Sequence, residues 1–234
     1  MFYWQRVIKA LIVLMAIPLL FGCADIASTP SSEQKDESPF TGIPCEAPCW
    51  QELTVGVSSY KDVLKKLPNL TFIRQDTIQI YRDIIMSGPN PSISGIGVIF
   101  VADCKYPQMQ CLKVSVVDDI LTEIEISLNY EMQVSETIEY LGAPDSVGYS
   151  MLGAEDIICE VLLVWDEKQL ILASQEFTGG KTTEKYCGMV RDTGMTTSSL
   201  AIAKVRYLSP LGIEYILSSG YSEFFQFTGT SLGK

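Results

Sequence analysis

Seven cysteines and no histidine set the limits of the chemistry this chain can carry. Without an imidazole to take the nucleophile's proton, the usual serine and cysteine triads are excluded. Asp192-Thr193-Gly194 is the triplet in which two carboxylates share one proton to activate water, but it occurs in a single copy, so activity through Asp192 would demand a dimer. A plain turn is the competing reading of the same three residues. Ser58 and Lys61 have the spacing of a lysine-activated serine nucleophile, yet no Ser-Asp-Asn or Lys-Thr-Gly partner follows. A capped helix start explains both side chains. Gly179-Gly180-Lys181-Thr182 imitates the end of a phosphate-cradling loop, with Gln175 where that loop needs its first glycine. Gly95-Ile96-Gly97 leads into strand rather than helix and so lacks the geometry to hold phosphate. With no complete catalytic set, the chain is expected to be non-enzymatic and to need no cofactor. The alternative is a cell-surface hydrolase using a carboxylate such as Asp192.

The cysteine whose setting says most is Cys23. Arg6 and Lys9 form a positive start, residues 10–21 are an unbroken apolar run, and Gly22 is small. Twelve apolar residues are too few to cross a bilayer, which takes about 20, and Pro18 would interrupt a crossing helix. Leu20-Phe21-Gly22-Cys23 resembles the lipobox of bacterial lipoproteins. The resemblance implies that residues 1–22 are a signal peptide and that Cys23 carries a diacylglycerol thioether and an acylated amino group. It also implies anchoring outside the cytoplasm to the cell membrane or outer membrane. One acyl chain binds marginally, at about 0.8 kcal/mol per buried CH₂, whereas several hold firmly. An ordinary secretory signal or an uncleaved anchor is the other reading of the run.

Charge and cysteine count fit export. The formal charge is −11, and losing Arg6 and Lys9 with the signal leaves 15 basic against 28 acidic residues. Such a body repels phosphates, so nucleic acid is not an expected partner. Lipidation of Cys23 leaves six cysteines, which can pair in fifteen ways. The sequence-local pairing is expected: Cys45 with Cys49, Cys104 with Cys111, and Cys159 with Cys187. A zinc site is the rival, disfavoured by spacings of three and six residues and by the missing histidines.

Residues 23–42, rich in Ser, Thr, Pro and charge, are expected to be a disordered tether. Beyond them Gly42-Ile-Pro-Cys-Glu-Ala-Pro-Cys-Trp50 is similar to a run found soon after the anchor in bacterial lipoproteins, and Trp50 is expected to lie over the sheet. Ser59 with Asp62 makes a capping box for a helix whose Tyr60, Val63, Leu64 and Leu67 share a face, ended by Pro68. Strands are predicted over 70–74, 77–82, 96–102, 112–118 and 121–128. The clearest signal is the hairpin alternating about Asp118-Asp119. A second cycle opens at Gln133, where Val134-Ser135 and Leu141 repeat Val57-Ser58 and Leu64 at an offset of 77. A helix closed by Gly142 is followed by strands 147–151, 157–165 and 169–176, and a Gly- and Thr-rich loop then leads to strand 201–208. A helix between Ser209-Pro210 and Gly220 precedes a last strand, 222–227. There Phe224, Phe225 and Phe227 form either an inward-facing strand or a sticky patch.

The expected fold class is α+β, an antiparallel sheet with few helices, in units 43–130 and 131–234. Val57-Ser58-Ser59 with Val63-Leu64, and Val134-Ser135 through Leu141-Gly142-Ala143-Pro144, carry a further likeness. The order resembles the small outer-membrane assembly lipoproteins of the SmpA/OmlA type and the tandem repeats of β-lactamase inhibitory protein. What that resemblance implies is protein binding through a sheet face or loop, with an envelope protein as the partner.

Overall fold

The computed structural model describes residues 45–86, 95–105, 110–152, 158–178, 180–218 and 222–231. Cys23, the apolar run before it, the tether, Gly179 and Gly220 lie outside the described residues. Two short strands, β1 (Cys49–Trp50) and β2 (Leu53–Thr54), pair as a hairpin and set Trp50 into the core, edge-on to Phe72. Helix α1 (Tyr60–Lys66) starts where the sequence says it should. Ser59 caps it, with Asp62 Oδ2 accepting the Ser59 backbone N–H at 2.8 Å while Ser59 Oγ accepts from Asp62 N–H.

Four strands follow as a meander: β3 (Gln79–Met86), β4 (Gly95–Asp103), β5 (Gln110–Val117) and β6 (Ile120–Gln133). The β5–β6 turn is two residues long. Asp118 and Asp119 both adopt positive φ, 50° and 66°, the twist that lets two strands close without splaying. Helix α2 (Val134–Leu141) begins at the end of β6, its first turn held by Glu136, whose carboxylate accepts the Gln133 N–H at 2.8 Å. Gly142 closes it with φ 80°, and Trp165 Nε1 donates to the Gly142 carbonyl at 3.1 Å.

A second run of strands follows α2. Strands β7 (Ser146–Leu152), β8 (Ile158–Trp165) and β9 (Leu170–Ser174) form a meander. A short β10 (Phe177–Thr178) pairs with β8 and leads into α3 (180–193), which widens into a π turn at Glu184–Gly188. Then come β11 (Met195–Thr197), β12 (Ala201–Leu208), α4 (Pro210–Ser218), β13 (Ser222–Gln226) and β14 (Gly229–Ser231). Strands β11 and β14 pair in parallel beside the main sheet.

The strand order in that sheet is β13-β7-β8-β9-β12-β6-β5-β4-β3, with β10 beside β8. The first meander ends on β6 and β9 is followed in the sheet by β12, so β6 and β12 are neighbours, antiparallel with Val205 opposite Ile126. The fold is α+β, predominantly antiparallel sheet with four helices among the described residues, all within one compact unit. Period-2 alternation sends apolar side chains to two faces. On one face Val114, Ile124, Val205, Leu163 and Leu172 form the main core under Val63 of α1, Val134 of α2 and Val190 of α3. On the other, Leu162, Val164, Ile171 and Leu208 meet Ile213 of α4.

Three details differ from the sequence reading. Leu70–Arg74 is not a strand: Leu70 and Ile73 are both buried, but three residues apart, and only Ile73 makes a bridge, to Cys104. They anchor a loop. The Gly- and Thr-rich loop after β10 is instead α3. The two helix starts correspond at 74 residues, Ser59 with Gln133 and Asp62 with Glu136, not at 77. Val57 is 73% exposed while Val134 is fully buried, so those two valines are not counterparts. The Phe run of β13 lies against both cores, Phe225 stacked on Tyr149 and Phe224 beside the α4 cluster.

Candidate functional site

The sequence-singled cysteines are brought together pairwise. Disulfides join Cys45 to Cys49, Cys104 to Cys111 and Cys159 to Cys187, with Cα separations of 5.6, 5.5 and 6.6 Å. These are the sequence-local pairs. Cys104–Cys111 clips β4 to β5, and Cys159–Cys187 fastens β8 to the π turn of α3. Among the described residues no three Cys, Asp or Glu side chains are arranged to hold a metal ion, and no helix is long and apolar enough to cross a membrane.

The hydrolase candidate stands in the open. Asp192 lies in the last turn of α3, closed by Gly194 with φ 63°, and its side chain is 59% exposed. Arg191 Nε donates to Asp192 Oδ1 at 2.8 Å, and this hydrogen bond is the main cause holding the carboxyl below its ordinary range. A carboxylate so paired, on a surface turn, is poorly placed to share a proton with another. Ser58 is buried, and its hydroxyl accepts the Thr54 N–H at 2.9 Å, tying down the chain before α1 while Lys61 faces water. Strand β10 followed by α3 does reproduce a strand-then-helix frame at Gly180-Lys181-Thr182, with Gln175 still in place of glycine.

What the sequence reading missed is a charged band across the face that also carries α4. Where the α4 cluster ends, outward positions turn from Leu and Ile to Lys, Arg and Glu. Register puts Gln79, Val101, Lys113, Glu125 and Arg206 in one row across β3, β4, β5, β6 and β12. Arg206 donates from Nε at 3.1 Å and from its terminal nitrogen at 2.5 Å to Glu123 Oε1, and its Nε lies 3.4 Å from Glu125. Lys113 Nζ reaches the other Glu123 oxygen at 3.3 Å. Lys204 bridges Glu160 at 3.2 Å and Glu176 at 3.3 Å.

Burial alone would push the Glu123 carboxyl up, but Arg206 and then Lys113 outweigh it and leave the group below its ordinary range. At Glu160 burial wins over Lys204, and the carboxyl is raised. Within this row Val101 and Lys113 are partly exposed and Gln79 is exposed, as is Tyr81 on the same strand. The band is a row of cross-strand opposite charges with its members already satisfied, suited to matching a surface rather than attacking a bond.

Two further settings lie outside the band, one beside α4 and one on the opposite face. A hollow of about 550 Å³ beside α4 is lined by Asp166, Glu167, Gln169, Pro210, Ile213, Glu214, Leu217 and Ser218. Tyr149, buried beneath Phe225, donates its hydroxyl to Glu223 at 2.5 Å. Burial and then that hydrogen bond push the phenol from 10.0 up to about 12. The folded state therefore holds this proton longer than the unfolded chain. Its contribution to stability is complete below about pH 10 and is lost as pH rises toward about 12. Tyr149→Phe should remove one late-titrating phenol from the ultraviolet alkaline titration. The stability gap to the parent, read from urea unfolding, should narrow between those two pH values, whereas a gap that widens would contradict the assignment.

Comparison with protein-family models, with curated proteins and with solved structures yields no match.

Proposed function

We propose that this chain is a lipid-anchored, extracytoplasmic lipoprotein whose body is a non-enzymatic protein-binding or envelope-scaffold module. The observation that carries the binding half is the charged band on the sheet face opposite α1 and α2. It offers ordered side chains from several strands and no free nucleophile. We further read the body as two helix-then-four-strand repeats, supported by the mirrored strand order about β6 and β12 and by matching acidic residues three positions into both helix caps. The anchor half rests on Leu20-Phe21-Gly22-Cys23 and the short apolar run before it. The hydrolase alternative gains no support from the position of Asp192.

Two measurements test the reading. Photo-crosslinking groups placed at Val101 and Gln79 should capture one discrete envelope protein from intact cells, while a group at Glu139 on α2 captures none. Equal labelling from all three positions would remove the case for the sheet face. Cys23→Ser should move the protein from the membrane to the soluble fraction, and continued attachment would mean that the apolar run itself is the anchor.

A further inference from the structure

The three disulfides do not share one environment. Cys104, Cys111, Cys159 and Cys187 are 5%, 4%, 0% and 3% exposed, inside the main core. Cys45 and Cys49 are both partly exposed, in a small ring at the amino-terminal end of the body. Exchange requires in-line access of a thiolate to one sulfur, so the two buried bridges can react only after local opening. The Cys45–Cys49 bridge needs none.

Its two sulfurs are also unequal. The Glu52 N–H points at Cys45 Sγ at 3.4 Å. A donor aimed at a sulfur stabilises negative charge there and makes it the better leaving group. The residues that would have to stay in place do not depend on the ring. Cys49 is followed directly by Trp50, which is 3% exposed against Phe72, and the β1–β2 pairing is held by Leu53, 1% exposed. Opening the bridge therefore leaves the core seated.

We propose that Cys45–Cys49 is a thiol–disulfide exchange site that works in the folded protein. Its co-reactant is an external thiol, either a low-molecular-weight thiol or a dithiol oxidoreductase. An incoming thiolate attacks Cys49 Sγ, the Cys45–Cys49 bond breaks, and its electron pair leaves on Cys45 Sγ beside the Glu52 N–H. A second external thiolate then attacks the sulfur that the first contributed, releasing Cys49 as thiolate. The protein disulfide has gained two electrons, and the two external thiols have become one disulfide.

The test uses the full chain without denaturant. Reduced glutathione is the probe, free thiols are trapped with N-ethylmaleimide at intervals, and the products are mapped by peptide mass spectrometry. Cys45 and Cys49 should be labelled at least about tenfold faster than the other four cysteines, because each about 1.4 kcal/mol of opening cost slows a buried bridge by that factor. The first mixed disulfide should sit on Cys49. Far-ultraviolet circular dichroism should be unchanged after this bridge is reduced, and unfolding should remain a single cooperative transition. Labelling of all six cysteines together, a first adduct on Cys45, or loss of structure on reduction of this bridge would each overturn the proposal.

Discussion

Arg206→Ala is expected to lower the stability of the folded chain by about 3 kcal/mol, the lower end of what breaking a buried ion pair costs. The cause is the group left behind. Glu123 is 13% exposed, and its Oε1 would lose both donated hydrogen bonds, keeping only Lys113 at 3.3 Å and the Ser115 hydroxyl at 3.4 Å on the other oxygen. Those two contacts are why the figure is not larger. Arg206→Lys retains charge but not the two-nitrogen grip, and should cost about 1 kcal/mol. Replacing Arg206 and Glu123 together by leucine removes the stranded charge and should recover most of the loss.

The pH dependence carries the sign. In the parent chain Glu123 titrates below its ordinary value, so its stabilising contribution is present above the unfolded carboxylate range and is lost as pH falls through the lowered value. The gap between parent and Arg206→Ala in urea unfolding should therefore be widest near neutral pH and shrink on acidification. A gap independent of pH would assign the effect to lost packing of the arginine stem.

Removing the bridge between β8 and α3, with Cys159→Ala and Cys187→Ala combined, should cost about 3 to 4 kcal/mol in the chain-entropy view. The two cysteines are 28 residues apart, the longest loop among the three disulfides, and freeing them returns that entropy to the unfolded chain. Native contacts should survive in part, because Phe177 stacks on Tyr186 at 4.3 Å and Val190 is fully buried. Chemical denaturation checks this: the midpoint falls, and the slope holds or rises as the unfolded chain becomes less compact. A loss under about 1 kcal/mol would mean that the unfolded chain keeps this segment compact even without the bond.

Much of the architecture was readable because local rules and global packing agree. The β5–β6 hairpin could be placed from alternation about Asp118-Asp119, and α1 from its capping pair, since both depend on residues close in sequence. Helix α3 was not readable. Its first turn is Gly-Lys-Thr-Thr, poor in helix propensity, and it is held by the Cys187 bridge and by Val190 in the core, so tertiary contacts override the local preference. Leu70 and Ile73 misled in the opposite direction, their apolar character reflecting a buried loop rather than a pleat.

The charged band failed for a third reason. Lys113, Glu123 and Arg206 each occupy an outward position in a legible strand, but which charge meets which depends on β6 lying against β12, 83 residues apart for the Arg206–Glu123 pair. Alternation gives the side of the sheet a residue takes and is silent about its neighbour across it.

The mirrored order leaves β3 and β13 as the outermost strands of the sheet. In β3 the register shifts between Tyr81 and Ile84, with Asp83 at φ 55° and Arg82 turned over the Tyr60 ring at 5.7 Å. A straight, unpaired strand is a template on which another molecule can stack, and a kink bearing opposite charges breaks that template midway. Copies of this chain that meet edge to edge would therefore be hindered from zipping into ribbons along this margin.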